Sequence, residues 1–159
     1  MKNHIKLVTL PILASSLVAV SLSAVAQQAP KPEQFIKWRQ SAFQVVAWST
    51  SRIKTNVEGQ YNKEEVVKAA NTIAAIANGG LGSLFAVGTE TGRGWHDTTA
   101  KPALFATGSK VGDYAAAFAK ESTELAHLAA SSDQAHVKEQ FGKLSSTCKT
   151  CHDDYKVKD

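Results

Sequence analysis

Apolar positions recur every three or four residues through most of this chain, the spacing of helices that bury one face. Four such segments carry their own end signals. The first follows the Pro30/Pro32 linker, accommodates Pro32 in its first turn and runs to about Gly59. The second starts at Asn62, with Glu65 three residues later in a capping-box arrangement, and stops at Asn78-Gly79. The third can begin at Ser109 and continues through the alanine-rich YAAAFAKESTELAHLAA. The fourth takes Ser131 and Gln134 as its start signal and ends near Tyr155. No segment alternates like a strand. Four helices in a chain of this length predict an all-α fold, an antiparallel four-helix bundle with up-down-up-down topology. Two of its connections are short. The third, residues 80–108, is glycine-rich and holds Trp95, Pro102 and Phe105; a connection of that length in a compact domain generally serves a function or covers something.

The N-terminus follows a different pattern. Lys2 and Lys6 precede an apolar run from Leu7 to about Val20 and the small-residue triplet Ala24-Val25-Ala26, the layout of a secretory signal peptide cleaved after Ala26. The run is too short, and too interrupted by serines, to span a bilayer, which takes about 20 apolar residues. Removing 26 of the 159 residues leaves 133, a single domain spanning 27–159 with no membrane insertion after cleavage. With Lys2 and Lys6 gone, 16 basic residues face 14 acidic ones, and no basic run points to nucleic acid. An exported domain sits where disulfides persist, so its only two cysteines, three residues apart, call for a specific use.

Those cysteines, Cys148 and Cys151, are followed directly by His152. A thioredoxin-like pair would follow a strand and open a helix, where the dipole lowers a thiol pKa; this pair lies late in a helix. A structural zinc site needs about four ligands, and no second Cys/His pair has finger-like spacing. The third reading is covalent attachment of one haem c per chain, the recognised meaning of C-x-x-C-H. Two thiols add to the vinyl groups while the adjacent imidazole coordinates the iron. On a helix, residues 148 and 152 share a face with 151 beside them, so all three can project together.

The opposite axial position decides the behaviour of such an iron. Electron-transferring cytochromes c typically place methionine there, and the only methionine here, Met1, leaves with the signal peptide. His136 is about 24 Å from His152 along the same helix at 1.5 Å per residue, out of reach. His127 falls off the stripe of Tyr114, Phe118 and Leu125 and is expected to face solvent. His96, in the long loop, stays open as a candidate. The expected state is five-coordinate iron with a free site.

CKTCHDDYK near the C-terminus, KPEQFIKWRQSAF in the first helix, GTE in the loop and AKPALF after it resemble the cytochrome c′ family, a likeness that covers nearly all of residues 27–159. The resemblance implies a usually dimeric four-helix bundle with high-spin, five-coordinate haem near the C-terminus. It also implies a periplasmic location, binding of nitric oxide and carbon monoxide, and roles in nitric oxide protection or electron transfer. By position in the family pattern, Arg39 and Gln40 are haem contacts, with Arg39 pairing with a propionate. Arg39 shares a face with Ile36, Phe43 and Val46, and an arginine on an apolar stripe needs a buried partner. Thr89 and Glu90 match haem-edge positions. Phe43 falls where the family places the residue covering the open face, although on spacing alone it reads as ordinary core. Lys156 matches a basic residue near the proximal histidine, and reads equally as a solvated lysine at a helix end. The stretch TGRGWHD departs from the family pattern by lengthening the loop before Lys101-Pro102, and could bring Trp95 or His96 to the haem edge.

Helix one carries a second apolar group. Trp38, Val45 and Trp48, with Ser41 and Arg52, project opposite Arg39 and Phe43, which suggests a homodimer surface; the plainer alternative packs them against the long loop. The leading expectation is a gas-binding haem protein. The alternative is an electron-transfer cytochrome with a redox partner protein, for which the free site is incidental. No distal histidine or arginine pair suited to acid–base work on peroxide appears, so no enzyme activity is expected.

Overall fold

The Asn62 side chain accepts a hydrogen bond from the Glu65 backbone N–H at 3.2 Å, which starts the second helix where the capping pattern placed it. In the computed structural model, which describes residues 29–158, the helices are α1 (Pro32–Glu58), α2 (Lys63–Asn78), α3 (Val111–Ser131) and α4 (Gln134–Tyr155). The expected signal peptide lies outside the described residues. Among those residues no strand forms, and no helix is long and apolar enough to cross a membrane. Gly80, with φ of 89°, reverses the chain after α2, a conformation that costs glycine nothing.

Two start signals differ from expectation. The third helix opens at Val111, because Ser109 sits before it and accepts the Val111 N–H through its hydroxyl. The fourth is capped by Asp133, whose carboxylate accepts the His136 N–H at 3.0 Å, not by Ser131. Ser131 is the last residue of α3 and donates its hydroxyl back to the His127 carbonyl. Aspartate is the better cap, since its full negative charge also meets the positive end of the helix dipole.

The helices run antiparallel in chain order, a four-helix bundle. Its apolar core is concentrated away from the α4 C-terminus: Val46, Ile53 and Val57 from α1 meet Val66, Ala69, Ala70 and Ile73 from α2, Leu125 and Ala129 from α3, and Val137 and Leu144 from α4. Alanines on α2 and α3 let the backbones approach closely where large side chains fill from α1 and α4. Toward the other end the packing changes character. There Phe43, Phe85, Phe105, Tyr114 and Phe118 are only half-buried, and α1 and α4 meet over a shorter stretch than the other neighbouring pairs. The long connection contains two single-turn 3₁₀ helices, Leu81–Leu84 and Pro102–Phe105, and wraps this end of the bundle.

Candidate haem site

Cys148, Cys151 and His152 lie in the last two turns of α4, at the half-buried end. Both cysteines are free thiols and partly covered. Burial pushes both thiols above their ordinary range, assisted at Cys151 by Asp154, so they stay neutral at physiological pH. His152 is exposed at its surface, yet desolvation, and then the nearby Lys156 charge, shift its imidazole below the usual value. The neutral ring this favours is the form that coordinates a metal. Thiols held free, on one helix face, beside a neutral imidazole fit a thioether-linked haem ligated by His152. The other chemistry the residues could offer is missing: among the described residues no group of three or more His, Cys, Asp or Glu could hold a bare metal ion.

The end of α4 is fixed by the long connection. Lys101 donates its ammonium to the carbonyls of Asp153 and Asp154, and its backbone N–H to Tyr155 O at 2.8 Å. Val157 donates to Thr99 O at 2.8 Å. The three Lys101 bonds satisfy carbonyls that a helix terminus otherwise leaves unpaired, and a cation at that end suits the dipole. From α3, Tyr114 donates to Asp154 Oδ2 at 2.6 Å, and its ring lies 5.8 Å from that of Tyr155. Tyr155 in turn accepts the Lys110 N–H at the start of α3. The histidine-bearing turn is thus held from two sides.

Facing this end from α1 is Arg39, 5 % exposed. Its guanidinium donates to Leu84 O and Thr89 Oγ1, both at 3.0 Å, to Thr89 O at 3.2 Å and to Thr98 Oγ1 at 2.9 Å. It also lies over the rings of Phe85 and Phe105, 4.9 and 5.9 Å from their centroids. The buried partner that an arginine on an apolar stripe requires is therefore the loop itself. Burial lowers the Arg39 pKa while Glu90 opposes that, and the group remains a cation. Thr89 is 1 % exposed and bonded to Arg39, whereas Glu90 is half-buried and accepts the Gly88 N–H, the contact that most lowers its pKa. Phe43 is half-buried one turn from Arg39, its ring edge-on to Phe85 at 6.2 Å.

The remaining expected residues separate. Gln40 holds the loop, accepting the Trp95 N–H at 2.7 Å and donating to His96 O at 2.9 Å. His96 is exposed, with Nδ1 2.8 Å from Asp97 O; His127 and His136 are exposed as well. Trp95 stands on the outer side of α1 with its indole N–H on Ser41 Oγ. Lys156 follows α4, its backbone N–H on His152 O and its charge felt by the imidazole. Trp38, Val45 and Trp48 are exposed by 42 %, 39 % and 60 % on the far side of α1. Thr98, Phe85 and Tyr114 also belong to this end and were not among the expected site residues. Thr98 and Phe85 come from the loop, where no periodicity marks an inward side chain.

A family profile described as Cytochrome C' matches residues 34–156. The chain belongs to the cytochrome c′ family. Among curated relatives, a cytochrome c′ of Rhodocyclus tenuis is 62 % identical over 130 residues, covering 81 % of this chain and 98 % of the relative. A solved cytochrome c′ described as having an unusual ligand-controlled dimer dissociation is 39 % identical, with a TM-score of 0.78 over 82 % of this chain and all of that one. A ferrous variant of the Alcaligenes xylosoxidans cytochrome c′ with bound nitric oxide is 27 % identical, with a TM-score of 0.72 over 83 % of this chain and all of that one. As a cytochrome c′, the chain carries haem c, and Cys148 and Cys151 are placed for its covalent attachment.

Proposed function

We propose that this cytochrome c′ is a periplasmic gas-binding protein in which His152 ligates haem iron on one side and Phe43 covers the other. Bound haem supplies an iron centre able to take a small diatomic ligand. The observation that carries the reading is the composition of the end facing α4. No methionine occurs after Met1, His96 is engaged with the Asp97 carbonyl, His127 and His136 are exposed, and α1 offers the apolar ring of Phe43 instead. Phe43, backed by Phe85, excludes water and charged ligands from that side and must yield to an entering gas. Arg39 holds Thr89 and Thr98 at the same edge and supplies the positive charge suited to a haem propionate, with Gln40 and Glu90 beside it. Lys101 and the Tyr114–Asp154 bond keep the turn bearing His152 in place.

The nitric-oxide-bound relative supports nitric oxide as the physiological ligand, with carbon monoxide as its usual surrogate. We further infer a homodimer through the outer face of α1, where Trp38, Val45 and Trp48 are exposed.

Replacing Phe43 with alanine tests the lid. Removal of a half-buried ring over the binding face should raise the carbon monoxide association rate by about ten-fold or more, the rate equivalent of roughly 1.4 kcal/mol off the barrier. Stopped-flow mixing of the reduced protein with carbon monoxide reads the change. Identical rates in Phe43→Ala and the parent would assign the lid to another side chain.

A further inference from the structure

Residues 92–98 form a small hairpin of which the haem reading uses only Thr98. Gly92 and Thr98 close it through Thr98 N–H to Gly92 O at 2.9 Å, and Arg93 pairs with Asp97 across it at 3.1 Å. It is fastened to α1 at every turn. Arg39 donates to Thr98 Oγ1, and Gln40 takes the Trp95 N–H and donates to His96 O. Gly94 lies so close to α1 that a Cβ would collide with Gln40 Oε1 and come within 2.8 Å of the Lys37 nitrogen. The Trp95 side chain is then set by two contacts of its own. Its indole N–H is donated to Ser41 Oγ at 2.8 Å, and Lys37 Nζ lies 4.6 Å from the ring centroid. A ring held this firmly would be expected to be covered, yet Trp95 is 62 % exposed.

Ser41 belongs to the same α1 stripe as Trp38, Val45 and Trp48. The hairpin therefore adds Trp95 to that stripe, and all three tryptophans of the chain stand on one exposed face. Tryptophan is enriched among residues that dominate association energies, and a side chain already immobilised loses little entropy on docking. The charges on this face favour an identical surface over an acidic partner. Arg52 rests on the Trp48 ring at 4.5 Å and pairs with Glu65 at 2.6 Å, Arg93 pairs with Asp97, and Lys37 rests on Trp95. Two copies of a face whose cations are already engaged can meet without strong repulsion, as an isologous two-fold contact requires.

We propose that the Trp95 hairpin is a second element of the homodimer interface, docking against a second copy of this chain; this rests on the α1 dimer proposed above. Trp48→Ala and Trp95→Ala separate the two claims. Analytical ultracentrifugation of the haem-loaded protein across a dilution series should show the dimer dissociation constant rising by about ten-fold or more in each, with absorption spectra unchanged. Trp95→Lys, which places a charge at the same exposed point, should leave only monomer at micromolar protein. A Trp48→Ala dimer that dissociates beside Trp95→Ala and Trp95→Lys dimers as tight as the parent would overturn the hairpin's part alone, and leave that face to a different protein. A parent that is monomeric throughout, or a dimer indifferent to all three substitutions, would overturn the α1 dimer and the hairpin's role with it.

Discussion

The Cys148→Ala/Cys151→Ala double variant is expected to lose all of its haem under denaturing conditions, where the parent keeps it. Thioether bonds survive unfolding and acid extraction, whereas an imidazole–iron bond from His152 does not. Each single variant should retain haem through the remaining sulfur, because the two thiols lie one helical turn apart and are separately accessible. Haem staining after denaturing electrophoresis reads this directly. Stain that persists in the double variant would mean that the attachment lies elsewhere in the chain. The double variant should also be less stable, since the end of the bundle that haem covers is otherwise lined by half-buried aromatic rings.

Arg39→Ala should be among the most damaging single substitutions outside the haem motif. It removes four hydrogen bonds at once and leaves Leu84 O, Thr89 O and Thr89 Oγ1 without the arginine donor in a buried or half-buried setting, while Thr98 Oγ1 keeps the Ala100 N–H. Unsatisfied buried groups cost about 1–3 kcal/mol each, and partial access of water to the loop reduces the sum to roughly 3 kcal/mol. For a domain of this size that lowers the thermal midpoint by about 10 °C. Arg39→Lys should recover little, because a single ammonium cannot reach four acceptors arranged around a planar guanidinium. Calorimetry on the haem-loaded protein measures both. A loss below about 2 °C in Arg39→Ala would show that the loop holds its place without the arginine.

How much of this was legible in the sequence depended on distance along the chain. Asn62 and Glu65 are three residues apart, so the start of α2 could be read from local chemistry alone. The C-x-x-C-H motif is equally local, and its late position placed the site at one end of the bundle. The start of α4 was misplaced because Ser131 and Asp133 are both competent caps two residues apart. The choice rests on α3 continuing through Ser131, which no local signal reports. Arg39 was legible as a buried cation in search of a partner, but its partners lie 45 to 59 residues away and three of its four acceptors are loop groups at Thr89 and Thr98. The face of Trp95 was invisible for the same reason: it follows from Gln40 and Ser41 reaching across 54 to 56 residues. Helix periodicity predicts which way a helical side chain points, and nothing comparable exists for a glycine-rich loop.

In the proposed gas-binding state, His152 holds a haem whose opposite face is covered by Phe43 and left without a protein ligand. The absorption spectrum of the dithionite-reduced protein, recorded before and after adding carbon monoxide, tests it most directly. A broad five-coordinate, high-spin spectrum that converts to a sharp, shifted Soret band with carbon monoxide is the predicted result. Narrow low-spin bands already present before the gas is added, and unchanged by it, would contradict the account by showing that a side chain of this protein fills the sixth position.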